Sequence, residues 1–407
     1  MAEEAAVRQQ TAVPGNSMGN SMGNSMHGTP ARGGVLRTGL LVLADGTIFE
    51  GIGCGAEGAA AGLLSFHTTM SAYQEVLSDP ASAGHIINFT FPHVGAAGTN
   101  PEDMESAIPQ AVGCVMGEMV TAPSNFRSRQ RFDDWLLDGG RIGLAGVDTR
   151  AITRRIRKGG SGNAVIAHDR RGRFDIEALR AMAAASVPAG MSPDAGCREA
   201  LSWREGSWQL GAGFQDVQPA KTAPHVVVVD FGGRRTLLRQ LVDAGLKVTV
   251  VAATSGLADI ERLHGDALLL SSGPGDPEQI GATALPLVRD WLSTGKPLFA
   301  VGLGHQLLAL ALGARVERMA HGRHGANLPV RSNPDGRFDI ASIHQDWTVV
   351  ADSLPETARV TEVSLFDHSL QGFEVEGLPW FSVQHYPLVS AAHHPFQRFV
   401  ASIKKAA

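Results

Sequence analysis

The sequence predicts a two-domain α/β protein, and three observations carry that prediction. In "APHVVVVDFGGRRTLLRQLVDAGLKVTVVAA" (223–253) an apolar run, a glycine turn, an amphipathic helix closed by Gly245 and a second apolar run follow one another. Runs apolar on both faces belong to parallel strands covered by helices on either side. Next, "DALLLSSGPGDP" (266–277) and "PLFAVGLGHQLLALALGA" (297–314) add two more buried strands, each ending in a glycine-bearing loop. Finally, short strands and glycine-rich corners between residues 37 and about 170 mark a separate domain ahead of the doubly wound sheet.

Taken in order, residues 1–36 contain the repeat "GNSMGNSMGNSM", too poor in apolar surface to offset its ordering entropy, and read as a disordered tail. The stretch "TGLLVLADGTIFEG" (38–51) predicts a hairpin turning at Asp45-Gly46. Strands and short helices continue through corners such as "FPHVGAAGTNPED" (91–103). A helix is expected over "DIEALRAMAAAS" (175–186), and an irregular linker over 200–222. The domains predicted are therefore 37–175 and 223–407, joined by a helix and linker over 176–222.

Composition narrows the class. Hydrophobic residues make up 43% and charged residues 18% of 407, as in an ordinary globular protein with two or three cores. A net charge of -5 gives no reason to expect nucleic acid or an anionic membrane as partner. No apolar run is long enough to predict a membrane span, and the N-terminus lacks the pattern of a secretory signal. Cys54, Cys114 and Cys197 are odd in number and far apart, which suits a reducing cytoplasm. No cysteine or histidine spacing matches a metal site, so His321, His324, His344, His385, His393 and His394 read as surface or packed residues.

Ligands of doubly wound sheets sit beyond the carboxyl ends of the strands, where Gly273, Gly275 and Gly302–Gly304 fall. "FAVGLGHQL" (299–307) has the strand–turn–helix order of a nucleophile elbow, which lifts one side chain into a pocket. The position that should carry the nucleophile is Gly302. Such an elbow strains its central residue by roughly 1–3 kcal/mol when a Cβ is present. Glycine relieves that strain and is expected to free the tip of the pocket.

Several long motifs resemble the small, glutamine-hydrolysing subunit of carbamoyl-phosphate synthase, from about residue 37 onward. "MSAYQEVLSDPASAG" (70–84), "NFTFPHVGAAGTNPED" (88–103) and "GLAGVDTRAITRRIRKGG" (143–160) resemble that family's amino-terminal docking domain. "LSSGPGDP", "GLGHQLLALALGA", "VSLFDHSLQG" (363–372) and "FSVQHYP" (381–387) resemble its class I glutamine amidotransferase domain. The resemblance implies a Cys–His–Glu triad, in which a thiolate attacks the glutamine amide carbon and a histidine held by a carboxylate protonates ammonia. Here the three positions carry Gly302, Tyr386 and Leu388. His385 is adjacent, but a one-residue offset on a strand turns a side chain to the other face. The triad reads as degenerate.

The resemblance also places remnants of a glutamine pocket at Thr69, Gly273, Gly275, Leu303, Gln306, His344, Asp346 and Trp347. Asp346 and Trp347, with His344 in "IHQDW", are bulkier than the family pattern and are expected to narrow it. His305 reads as a packing residue under the elbow. "TRRIRK" (153–158) reads equally as a docking patch or a solvated helix face.

By this resemblance the chain would dock on an ATP-using large subunit to support carbamoyl phosphate synthesis from free ammonia for arginine and pyrimidines. No cofactor is expected in this chain, ATP and Mg belonging to the large subunit. Two other functions stay open. One is glutamine hydrolysis through relocated groups such as His344 or His385; the other is a repurposed pocket that holds glutamine or another small molecule.

Overall fold

Along Val226–Val229 successive side chains enter different cores, and this alternation sets the architecture of the larger domain. Val227 and Val229 pack with Leu268, Leu270, Trp291 and Leu307, whereas Val226 and Val228 pack with Leu241, Phe299, Phe396 and Phe399. A strand buried on both faces must be covered by helices on both faces. The structure is a computed structural model that describes residues 37–159, 162–185, 196–386 and 395–406. The tail expected over 1–36, Leu388, His393 and His394 lie outside the described residues.

The amino-terminal domain is a closed barrel of β1 (Gly39–Leu43), β2 (Ile48–Gly55), β3 (Gly58–His67), β4 (His85–Phe89), β5 (Gly113–Val115), β6 (Ile142–Ala145) and β7 (Asn163–His168). The expected hairpin is its first turn, with Leu41 opposite Phe49 and Gly46 at φ 82°. β3, β4, β5 and β6 run parallel, while β7 closes the barrel antiparallel to β1 and β3. Leu41, Leu64, Ile86, Leu144 and Ile166 share one buried cluster, joined by Ile152 and Ile156 from the helix Thr149–Gly159. That helix exposes Arg154, Arg155, Arg157 and Lys158 of the basic run to solvent. The expected helix near residue 175 spans Ile176–Ala185.

The second sheet has ten strands: β8 (Leu201–Trp203), β9 (His225–Asp230), β10 (Lys247–Ala252), β11 (Ala267–Leu270), β12 (Leu298–Val301), β13 (Val316–Ser332), β14 (Phe338–Val349), β15 (Ala358–Ser364), β16 (Leu370–Val375) and β17 (Trp380–Val383). Its order is β14-β13-β15-β16-β17-β12-β11-β9-β10-β8. The five strands from β10 to β17 are parallel, as the apolar runs predict. The sheet as a whole is mixed, because β16 joins β17 antiparallel and the long hairpin β13–β14 extends that edge. The linker expected over 200–222 is partly ordered as sheet: β8 pairs antiparallel with β10.

Contacts between barrel and sheet are polar and specific. Glu105 of the barrel domain, 7% exposed, accepts from the Thr236 N–H at 3.0 Å and from the Thr236 hydroxyl at 2.6 Å. It thereby caps the helix Arg235–Asp243 of the other domain, a placement that also suits the positive end of the helix dipole.

Candidate functional site

The elbow forms as expected. Gly302 follows β12 and caps the helix Leu303–Ala311 at φ 58° and ψ -113°, a conformation that disfavours any residue with a Cβ. Gly304 packs against β11 so closely that a Cβ there would lie 2.6 Å from the Cβ of Leu270. The tip is not free, contrary to expectation. A Cβ on Gly302 would fall 2.9 Å from the Cβ of Ser272, so the serine takes up the space beside the elbow.

Beside this turn lies a cavity of about 340 Å³ between the two domains. Gly273, Gly275, Leu303, Gln306, His344, Asp346 and Trp347 line it, together with Gln279, Arg318 and Gln384. Asp346 and Trp347 thus form walls of a cavity that persists. Thr69 lies outside its lining: its N–H donates to the His67 ring at 3.2 Å, and the barrel domain instead contributes Leu63, Ala81, Ala83 and His85. The reason is the path of the chain, which leaves β3 at His67 and returns to the cavity only at Pro80–Ser82. Gln306 is buried and donates to the Trp347 carbonyl at 3.1 Å and to Gln384 Oε1 at 2.9 Å.

Four buried or half-buried histidines, His67, His85, His324 and His344, lie near one another, and two of them meet Asp346. His85 and His324 approach its two oxygens at 3.4 and 3.3 Å, and His344 lies 4.3 Å from the His324 ring. His67 and His85 come from the barrel; the other three residues come from β13 and β14. Burial raises the Asp346 carboxyl, but the His324 and His85 rings and Arg318 outweigh it and hold it well below the usual range. Burial lowers His85 to about 4 and His67 to about 3, and pulls His344 well down, so these rings are neutral at pH 7. Among the described residues no group of three such side chains is arranged to hold a metal ion.

His305 packs under the elbow as the sequence suggests. It is fully buried, with Nδ1 2.8 Å from the Ser382 hydroxyl, and burial lowers it to about 3. The sign of the linkage follows. The unfolded rings bind protons from about pH 6.5 downward, whereas the folded ones resist until pH 3 to 4, so the contribution of these rings to stability is full above 6.5 and falls as pH drops through that window. Asp346, whose folded carboxyl is held low, adds a further loss once pH falls below about 4, where the unfolded side chain takes up its proton. The urea midpoint is therefore expected to fall steeply between pH 6.5 and 4. A midpoint constant across that range would contradict the buried neutral rings.

His385 is turned away from the elbow, with Nε2 2.6 Å from Glu362. Burial lowers it, but the Glu362 carboxylate wins and raises it. None of the three cysteines lines the cavity; burial pushes Cys54 to about 12 and Cys197 to about 11, and Cys114 well above the ordinary value.

Tyr386 occupies a different setting. Its hydroxyl donates to Asp79 Oδ1 at 3.3 Å, and the Arg234 guanidinium stacks 3.8 Å over its ring. Asp79, fully buried, is held by Arg234 at 2.6 Å. Sequence reasoning assigned no role to Asp79 or Arg234, because their pairing joins positions 155 residues apart.

Residues 41–166 match the carbamoyl-phosphate synthase small chain, CPSase domain, and residues 227–400 match glutamine amidotransferase class-I. The carbamoyl phosphate synthase small chain of Zymomonas mobilis is 46% identical over 372 residues, covering 90% of this chain and 99% of its own. That of Brucella anthropi is 45% identical over 380 residues, covering 91% and 93%. The chain belongs to the carbamoyl-phosphate synthase small-chain family. Among solved structures, a glutamine amidotransferase from Thermotoga maritima covers 45% of this chain and 83% of its own, at 17% identity and a TM-score of 0.33. Within the small-chain family frame, the barrel is the CPSase domain and the ten-stranded sheet carries the class I amidotransferase domain. No helix among the described residues is long and apolar enough to cross a membrane.

Proposed function

We propose that this small-chain homologue docks on the ATP-using large subunit without hydrolysing glutamine, and that the complex makes carbamoyl phosphate from free ammonia. The observation that carries the reading is Gly302, an elbow residue with no side chain to attack an amide carbon. Tyr386, buried and bonded to Asp79, and His385, paired with Glu362, support it, since both are engaged away from the elbow. Oxyanion stabilisation alone leaves about 10³ over water, too little for a biosynthetic supply. ATP and Mg are assigned to the large subunit, and no cofactor to this chain.

Co-purification with the large subunit, followed by parallel assays with glutamine and with ammonium, tests the reading. Carbamoyl phosphate is expected with ammonium, and no glutamate above the no-enzyme control with glutamine. Docking through residues 37–170 should bury about 1,600 Å² or more, as interfaces of standard size do. Glutamate release that survives repeated purification would restore the relocated-group reading. Separate migration of the two chains at micromolar concentration would favour a repurposed binding protein.

A further inference from the structure

The residue at the triad's histidine position reaches out of its own domain. Tyr386 follows β17, and its N–H donates to the Ser342 carbonyl at 2.9 Å, which fixes its backbone. Its hydroxyl reaches Asp79, which lies in the loop before Pro80–Ser82 of the barrel domain. Both oxygens of Asp79 are committed. Oδ1 accepts from the Tyr386 hydroxyl at 3.3 Å and from the Ala81 N–H at 3.0 Å. Oδ2 accepts from Arg234 Nε at 2.8 Å and from its Nη2 at 2.6 Å. The Arg234 side chain is 14% exposed and leads into the helix Arg235–Asp243. Its guanidinium donates from its edge to a carboxylate while it lies over an aromatic ring, a geometry open to arginine's planar fork and not to a lysine ammonium.

We propose that Tyr386 closes an interdomain clasp with Arg234 and Asp79, and that the cavity wall carried by Ala81 and Ala83 is held in place through it. Asp79 both caps the turn Pro80–Ser82 and receives the two side chains from the other domain, so the turn that supplies that wall is tied to the amidotransferase domain. A position that the family's motif gives to a histidine has become a structural tether in this chain. The inference holds whether or not glutamine is hydrolysed. Burial first and the Asp79 carboxylate next push the Tyr386 phenol up, so it serves as a neutral donor.

Hydrogen exchange on the full chain tests the clasp. The Ala81 amide bonds to Asp79 Oδ1 and the Ser82 amide to the Asp79 carbonyl, so they report on the turn. The Val228 and Ile166 amides, in the two sheets, report on each domain as a whole. Tyr386→Leu is expected to raise exchange at Ala81 and Ser82 by about tenfold or more, with Val228 and Ile166 unchanged. If Tyr386→Leu does not accumulate as folded protein, Tyr386→Phe carries the test; it keeps the stack, loses the hydroxyl, and should raise the same rates about threefold. Unchanged rates at Ala81 and Ser82 in the variant that folds would overturn the proposal. So would a rise equal at all four amides, which would mark general destabilisation.

Discussion

Gly302→Cys is expected to produce no glutamine hydrolysis and to lower stability by about 1–3 kcal/mol. The thiol would enter a backbone held at φ 58°, and its Cβ would meet the Ser272 Cβ at 2.9 Å. Neither Tyr386, bonded to Asp79, nor His385, bonded to Glu362, is placed to serve it as a base. Adding Tyr386→His and Leu388→Glu rebuilds the residue types of the triad, but it also removes the phenol from Asp79 and leaves His344, Asp346 and Trp347 in the cavity wall. Slow, weakly saturable hydrolysis is therefore expected of the triple variant. A clear gain is expected only when residues 344–347 are returned to the family pattern. Glutamate release and the urea midpoint, measured on the same preparations, check both halves. Hydrolysis by the single cysteine variant at a rate typical of the family would mean that residues 384–388 are wrongly aligned with the triad motif.

Arg234→Met should cost more. Asp79 is fully buried and its ion pair with Arg234 lies at 2.6 Å, so truncating the arginine leaves a buried carboxylate without its charge partner. Breaking such a pair from one side costs about 3–5 kcal/mol. The pair repeated as Arg234→Met with Asp79→Asn should be milder than the single change, because the stranded charge is gone. Urea denaturation of the two variants and the unaltered protein, read at constant slope, measures this. A loss under about 1 kcal/mol for Arg234→Met, well below that of breaking a buried pair, would show that water reaches Asp79.

Patterns that repeat along the chain are legible in the sequence. The βαβ order of 223–253, the hairpin at Asp45-Gly46 and the elbow at Gly302 each depend on neighbours within a few residues, and each is present in the fold. The strand at Leu201–Trp203 is not legible, because three residues show no period, and it exists through its pairing with β10. The antiparallel edge escapes for a related reason: β13 and β14 bury only one face in part, and partners decide which way a strand joins a sheet. Motif resemblance puts Thr69 in the pocket, but the cavity is reached by Ala81, Ala83 and His85.

By itself the sequence determined the two domains, the family, the glycine loops at the strand ends and the elbow with a glycine at 302. These follow from local periodicity, from glycine's unique backbone freedom and from motif order, none of which needs a distant contact. Only the tertiary structure decided that Ser272 sits against the elbow, that His385 faces Glu362, that His85 and His324 meet Asp346 and that Tyr386 grips Asp79 and Arg234. Each of those contacts joins residues far apart in the chain. Their energies come from burial and short-range polar geometry, which exist only once the barrel and the sheet have closed on one another.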